Sequence, residues 1–298
     1  MDKQAVREAV WDAFDEGDQA RFPFPPHDRI PNFAGADEAA ARLAETEAWE
    51  SAATLKANPD APQLPVRRAA LRAGKTVYVA QPRLRDPDPF LRLDPAEIPP
   101  DEIDDATTVS GISEYGTPTA PEDVAHVDLI VAGSVGVTTD GARIGKGEGY
   151  SDLEWAVLRE LDAVDSEAQR ASGSEGRSPS GNRAPPGDSR TQSGDADTTV
   201  ATTVHELSVL DGPESAVGAA DDLPDSDDLP DSDDLPDSDA DLPDPDAHDV
   251  PLDLVVTPER TVRTDTSYAR PDGVDWDALD PEKLSEIPVL AERAPEEK

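Results

Sequence analysis

The residues best suited to chemistry lie in one short stretch, GARIGKGEGYSDLEWAVL, which runs from Gly141 to Leu158. A glycine loop that enters a helix exposes backbone N–H groups beside the positive end of the helix dipole, where phosphate groups bind. The spacing matches neither the Walker A pattern nor the dinucleotide-binding pattern, so a glycine-rich turn between a β-hairpin and a helix stays open as an alternative. The residues of the candidate phosphate loop are Arg143, Gly145, Lys146, Gly147 and Gly149.

A helix is predicted to begin immediately after the glycines. Ser151 and Glu154 fit the S-x-x-E capping box, and apolar residues recur at helical spacing from Leu153 to Leu161. Two roles stay open for Asp152 in the first turn: it holds Mg²⁺ or the waters around it, or it is an acid favoured by the helix dipole.

Strand and helix patterns alternate along the chain and predict the scaffold that positions this loop. Near-continuous apolar runs are typical of parallel strands that are buried on both faces. We therefore predict an α/β fold with a mainly parallel central sheet. The predicted strands are 76–80, 127–133, 202–210 and 251–257, and the predicted helices are 2–16, 36–51 and 66–72.

Two stretches lack the apolar residues that a packed core needs. One is rich in Ser, Gly and Pro, and the other repeats the hexapeptide DLPDSD between Asp222 and Asp239. Both are predicted to be disordered insertions in a single domain. The predicted divisions are a domain made of 1–164 and 198–265, insertions at 165–197 and 212–247, and a C-terminal tail at 266–298.

The composition is strongly acidic, with 66 Asp and Glu against 26 Lys and Arg and a net charge of −40. Such a surface is typical of proteins that work in strong brine, where salt screens the repulsion between carboxylates. We expect no nucleic-acid partner, because phosphate contacts need clustered basic residues. Without cysteine there are no disulfides and no thiolate metal ligands. No apolar run approaches about 18 residues, so we expect no membrane span and a cytoplasmic protein.

The glycine stretch resembles the signature D-x-x-x-R-x-G-x-G-x-G-Y-Y-D-R of the 5-formyltetrahydrofolate cyclo-ligase family, also called methenyltetrahydrofolate synthetase. The matching residues run from about Asp140 to Asp152, but Ser151 replaces the second Tyr and Leu153 replaces the Arg. GKTVYVAQP resembles a second family landmark. Segments such as RIPNFAGADEAA and NPDAPQLPVR are similar to a divergent, archaeal and domain-containing branch, so that the resemblance covers about residues 2–162 and 200–262.

This resemblance implies a three-layer α/β/α sandwich of the CoA-transferase-like kind and an ATP- and Mg²⁺-dependent ring closure. The 5-formyl oxygen of the folate attacks the γ-phosphate, N10 then attacks the activated carbon, and phosphate leaves. Arg143 and Lys146 are the implied catalytic cations. The implied ATP-binding residues are these two with Lys3, Arg7, Gly145, Gly147, Gly149 and Tyr150, while Asp152 is the implied metal ligand.

The folate side of the resemblance is less complete. The family places a pterin-binding Glu about fifteen residues before a G-K pair, and the same count from Lys75 reaches Asp60. Asp60 or Gln63 is the candidate for substrate binding, although Asp60 is equally a turn former. Together with Ser151 and Leu153, this difference leaves two alternatives: a non-catalytic or regulatory nucleotide-binding member, or a ligase for another small substrate.

The insertions generate a first prediction. We expect a variant that lacks residues 173–195 and the DLPDSD repeats to unfold cooperatively, because neither segment contributes apolar residues to the core. Thermal unfolding followed by circular dichroism checks this expectation. The loss of a cooperative transition would show that at least one of these segments is needed for the folded core.

Overall fold

The secondary structure alternates between strands and helices throughout the residues that the computed structural model describes, which are 2–165, 197–211 and 242–295. The α-helices are α1 (Lys3–Glu16), α2 (Ala36–Leu43), α3 (Glu47–Ser51), α4 (Leu64–Arg72), α5 (Ile103–Ala106), α6 (Val109–Tyr115), α7 (Tyr150–Glu160), α8 (Pro281–Glu286) and α9 (Pro288–Arg293). The strands are β1 (Ala20–Arg21), β2 (Asn32–Phe33), β3 (Thr54–Ala57), β4 (Thr76–Ala80), β5 (Phe90–Leu93), β6 (Thr117–Thr119), β7 (Leu129–Val131), β8 (Gly136–Val137), β9 (Arg143–Ile144), β10 (Thr199–Thr203), β11 (Leu254–Val256) and β12 (Thr261–Arg263).

The central sheet has eight strands within the described residues, in the order β12-β11-β10-β7-β3-β4-β5-β6. The five strands from β11 to β4 are parallel, and antiparallel strands flank them on both sides. The chain passes from β3 to β4 on one side and later returns to β7 on the other. A crevice therefore opens at the carboxyl ends of β3 and β7, which is where open α/β sheets bind ligands.

Helical layers cover both faces of the sheet. In β7, Ile130 packs in the layer that contains α7, whereas Leu129 and Val131 pack in the layer that contains α2 and α4. Burial on both faces explains why the strands are near-continuous apolar runs. The predicted α/β fold with a mainly parallel central sheet is confirmed.

Most predicted elements differ from the observed ones by a few residues at their ends, and two differ more. The helix predicted over 36–51 is two helices, because the Thr46 side chain accepts a hydrogen bond from the Trp49 N–H at 3.2 Å and begins α3. The strand predicted over 202–210 ends at Thr203. There the His205 Nδ1 accepts from the Leu207 N–H at 3.2 Å and begins a 3-10 helix at Glu206–Ser208.

The segment predicted to be a C-terminal tail packs on the core as far as Leu290. Val274, Ile287 and Leu290 are buried in the layer that contains α7. The Trp155 indole N–H of α7 also donates to the Pro271 carbonyl at 2.9 Å. We name residues 266–295 the C-terminal brace, because they hold α7 from its outer side.

The two predicted insertions lie mostly outside the described residues. Of the first, only its ends are placed, and the Asp165 N–H donates to the Thr198 hydroxyl at 3.1 Å. The DLPDSD repeats at 222–239 are outside the described residues. Residues 242–247, assigned to the second insertion, are placed, and Leu242 packs against the apolar cluster of α1. Within the described parts of the chain, no helix is long and apolar enough to cross a bilayer.

The C-terminal brace generates a second prediction. Replacing Leu290, which is fully buried, by Ala removes apolar contacts and is expected to lower the free energy of unfolding by ~2–5 kcal/mol. Chemical denaturation measures this change. Val109→Ala is the control, because Val109 is 64% exposed and its truncation creates no cavity. Equal stability of Leu290→Ala and the parent would exclude the C-terminal brace from the core.

Candidate functional site

An open cavity of about 340 Å³ lies at the crevice between β3 and β7. The loop after β3 forms its floor, and the glycine loop between β9 and α7 forms one wall. The predicted site residues that line it are Asp60, Arg143, Gly145, Lys146, Gly149, Tyr150 and Asp152. The fold thus brings most of the predicted residues together, although they come from separate segments.

The glycine loop gives α7 an open N-terminus. Gly149 is the N-cap residue, with a left-handed φ of 71°, and among the described residues no side chain caps this helix. Gly147 is also left-handed, with φ 103°. Both positions favour glycine, because a Cβ destabilises this conformation. The first N–H groups of α7 therefore face the cavity, where they favour a bound anion.

The predicted capping box is wrong. Ser151 lies inside the first turn of α7, one position after Tyr150, and Gly149 takes the capping position. Glu154 is buried and forms an ion pair with the Lys56 ammonium of β3. A buried cation needs a counter-ion more than a helix needs a cap, because an unpaired buried charge costs several kcal/mol, roughly 3–5 in total.

Arg143, which was predicted to bind phosphate together with the glycine loop, is buried beside that loop. Its guanidinium donates to the Gly133 carbonyl at 3.2 Å and to the Asp152 carboxylate. Burial opposes the charge, but the carboxylates around Arg143, with Asp152 foremost, together outweigh burial and raise its pKa. Arg143 therefore stays charged and fixes β9 against the end of β7. Its predicted catalytic role stays a prediction.

Asp152 is committed to this pair. Its Oδ1 accepts from Arg143 and also from the Val250 N–H at 3.1 Å. Of the two roles left open by the sequence, the geometry favours the structural acid, and a direct Mg²⁺ bond at this oxygen would compete with both donors. Both contacts use Oδ1, so magnesium ligation through the second oxygen of Asp152 stays a prediction.

Arg7 and Lys3 lie behind the glycine loop. The Arg7 Nε donates to the Gly145 carbonyl at 2.7 Å, and the Arg7 guanidinium carbon lies 3.4 Å from the position of a Cβ on Gly147. Lys3 pairs with Asp246 at 2.7 Å and with Asp249 at 2.5 Å. The structure thus gives Arg7 a role in holding the loop, and it does not bring Lys3 to the lining of the cavity.

Lys146 and Tyr150 line the cavity itself. The Lys146 ammonium lies 2.7 Å from the Glu148 carboxylate, and both side chains are 37% exposed. Because it is partly solvated and paired only at the surface, Lys146 can move to a ligand at low cost. It is the predicted cation that is best placed to contact a bound phosphate.

The two predicted substrate-binding residues have different positions. Asp60 lies on the cavity floor, where burial raises its pKa and Lys146 and Arg67 oppose that rise. Gln63 is 0% exposed and does not line the cavity, and its side-chain amide has no hydrogen-bond partner among the described residues. Asp60 is therefore the stronger candidate.

The buried cations beneath the floor were not predicted from the sequence. Lys56 is 1% exposed, and besides Glu154 its ammonium donates to the Asn58 side chain at 3.2 Å. Arg67 donates to the carbonyls of Asn58 at 2.5 Å and Asp60 at 3.1 Å, and burial lowers its pKa to about 10. The signal was present, because Lys56 interrupts an apolar strand and Arg67 falls on the buried face of α4.

The fold and the cavity define an α/β protein with a ligand crevice at a topological switch point. Residues 12–170 match the sequence model of the 5-formyltetrahydrofolate cyclo-ligase family. The chain belongs to this family, which confirms the resemblance drawn from the glycine signature. The match includes the glycine loop and excludes Lys3, Arg7 and the C-terminal brace.

Curated relatives extend the similarity. The chain is 33% identical over 294 residues to the methenyltetrahydrofolate synthase domain-containing protein of Mus musculus, covering 97% of this chain and 62% of that protein. The Homo sapiens protein of that description is 30% identical over 294 residues, with 97% and 61% coverage. The chain thus spans about three fifths of these relatives. The NMR structure of Aquifex aeolicus 5,10-methenyltetrahydrofolate synthetase aligns with a TM-score of 0.41 and 13% identity, covering 89% of this chain and 93% of that one.

The Arg143–Asp152 pair generates a third prediction. Arg143→Ala leaves the Asp152 carboxylate buried beside a cavity, and the free energy of unfolding is expected to fall by ~3–5 kcal/mol. Lys146→Ala removes an exposed partner and is expected to change it by less than ~1 kcal/mol. Urea denaturation of both variants tests the contrast, and equal midpoints would contradict a structural role for Arg143.

Proposed function

We propose that this protein is an ATP-dependent 5-formyltetrahydrofolate cyclo-ligase, which forms 5,10-methenyltetrahydrofolate, ADP and phosphate. The observation that carries the proposal is the open N-terminus of α7 in a cavity that also holds Lys146 and Asp60. Membership of the cyclo-ligase family supports the same reaction.

The arrangement suits phosphoryl transfer, which depends on positioning and on neutralising charge. The N–H groups of the Gly145–Gly149 loop and of the first turn of α7 donate to phosphate oxygens. Lys146 supplies a full positive charge near the transferred phosphoryl group. Arg7 and Arg143 act by holding the loop in place. Arg7 donates to the Gly145 carbonyl, and Arg143 donates to the Asp152 carboxylate of α7 and to a carbonyl after β7.

Asp60 faces the same cavity and supplies an acceptor for the folate. A pterin ring presents N–H groups along one edge, and a carboxylate accepts two of them at once. Burial raises the pKa of Asp60. The same burial makes the ionised carboxylate costly to leave without a hydrogen-bond partner. A substrate that donates hydrogen bonds to Asp60 removes that cost.

Magnesium enters this proposal with the triphosphate, because Mg²⁺ in such sites keeps several waters and binds phosphate oxygens. We assign it no protein ligand. Asp152 is committed to Arg143 and Val250, and the carboxylates of Asp246 and Asp249 are paired with Lys3.

A non-catalytic nucleotide-binding member is the alternative that a specific observation favours. The family signature continues with Tyr and Arg where this chain has Ser151 and Leu153, and Leu153 packs against the apolar core. This chain therefore lacks a cation that the signature places beside the loop, and binding without turnover would follow.

The fourth prediction separates the two proposals. The purified full chain is incubated with 5-formyltetrahydrofolate, ATP and Mg²⁺, and the absorbance of the methenyl product is followed. We expect product, with a KM for ATP raised about fivefold in Lys146→Ala, the effect of one partly exposed charge contact.

The matched control is Arg92→Ala, since Arg92 pairs with Asp94 and Glu97 away from the cavity. ATP binding in calorimetry without any product would refute the cyclo-ligase and leave the non-catalytic binder. An unchanged KM in Lys146→Ala would refute the assignment of Lys146.

A further inference from the structure

Glu148, in the glycine loop, is surrounded by cations from three separate segments. The Lys146 ammonium lies 2.7 Å from its Oε2, and the Arg83 guanidinium lies 3.8 Å from its Oε1. The Lys283 ammonium of α8 donates to the Glu148 carbonyl at 2.7 Å. Arg83 and Lys283 lie outside the glycine loop, and Lys283 also lies outside the residues matched by the family model.

Two of these cations line the cavity, and the third lies beside it. Arg83, Lys146 and Glu148 line it. Lys283 is 5.5 Å from the ring centre of Tyr150 and 3.6 Å from the position of a Cβ on Gly149. The cluster therefore adjoins the open N-terminus of α7, in a chain whose net charge is −40.

The backbone has an unusual conformation at Arg83. Arg83 has φ 62°, and Leu84 after it has φ 50°, although neither is glycine. A left-handed residue with a side chain costs of order 1–3 kcal/mol, and such residues concentrate at ligand sites. Leu84 is buried and holds the turn, so that Arg83 stays at the cavity.

The Glu148 carboxylate balances only part of this positive charge. A carboxylate carries one negative charge, whereas the end of a polyphosphate carries more charge and more acceptor oxygens. A polyphosphate that enters the cavity would therefore replace the Glu148 carboxylate as the partner of Lys146 and Arg83. The Lys283 ammonium, which donates to the Glu148 backbone carbonyl, would add a third positive charge beside it. The exposure of Glu148, 37% of its side chain, allows it to turn away to solvent.

We propose that Arg83 and Lys283, together with Lys146, bind the terminal phosphate of a polyphosphate, and that Glu148 is the internal counter-ion that the phosphate displaces. The proposal rests on the proposed function and adds to it two phosphate-binding residues and the C-terminal brace that carries one of them. The site takes nucleoside triphosphates and inorganic tripolyphosphate alike, because its contacts are with phosphate alone.

The test measures the binding of tripolyphosphate and of ATP to the full chain by calorimetry, at one fixed salt concentration. Arg83→Gln and Lys283→Gln are each expected to weaken both ligands by about fivefold, the effect of one half-exposed charged contact. Lys283→Arg is expected to retain affinity. Glu148→Gln is expected to tighten binding by about threefold or more, because it removes the competing charge.

The matched control is Arg85→Gln. Arg85 pairs with Glu286 of α8 at 2.9 Å. This ion pair joins the turn that contains Arg83 to the helix that contains Lys283, but it does not line the cavity. This substitution is expected to leave both affinities unchanged. A loss in Arg85→Gln equal to that in Arg83→Gln would show that the linkage, and not the phosphate contact, matters, and would overturn the proposal.

The outcomes separate this inference from the proposed function. If the parent protein binds ATP and tripolyphosphate, and Arg83→Gln and Lys283→Gln bind them equally well, the inference is overturned and the proposed function stands. If Glu148→Gln binds no more tightly than the parent, its role as counter-ion is overturned. If the parent binds neither ligand, the proposed function itself fails.

Discussion

The position of α7 depends on two buried ion pairs that face the carboxyl edge of the sheet. Lys56 of β3 pairs with Glu154, and Arg143 of β9 pairs with Asp152. A buried charge without its partner is strongly destabilising, so only one rotation and one register of α7 satisfy both cations. That register places Gly149 at the mouth of the crevice and directs the first N–H groups of the helix into it. The site geometry is thus a consequence of charge pairing in the interior.

The parts of the fold that were predictable are those in which local pattern and burial agree. The strand predicted at 76–80 is β4. A short apolar run between Gly74 and Pro82 fits a buried strand and is too short for a helix. Prediction failed where a side chain overrides periodicity, as when His205 begins a 3-10 helix inside an apolar run. It also failed for the C-terminal brace, whose helices α8 and α9 have few apolar residues and make their contacts with residues more than a hundred positions earlier.

The site divides in the same way. The glycine loop and its cations could be found because they are contiguous in sequence, and a motif is a contiguous signal. The partners of those cations could not be found, since Lys56 and Glu154 are 98 positions apart and only the sheet brings them together. The residues predicted as ligands therefore divide into two groups: Arg7 and Arg143 are held by hydrogen bonds within the protein, while Lys146 is partly exposed and available to a ligand. The acidic composition gave no warning of this local concentration of positive charge.

The C-terminal brace has a consequence for biosynthesis. Trp155 of α7 is held by the Pro271 carbonyl and lies under Arg270, whose guanidinium is 5.4 Å from the indole ring. These partners leave the ribosome more than a hundred residues after α7 itself. Because chains emerge at roughly 5–20 residues per second, Pro271 and Arg270 become available to α7 only several seconds or more after α7 itself has been synthesised. A nascent chain therefore completes the sheet edge at β12 before the contacts that support α7, and translation that stops short of Arg270 leaves Trp155 without these partners.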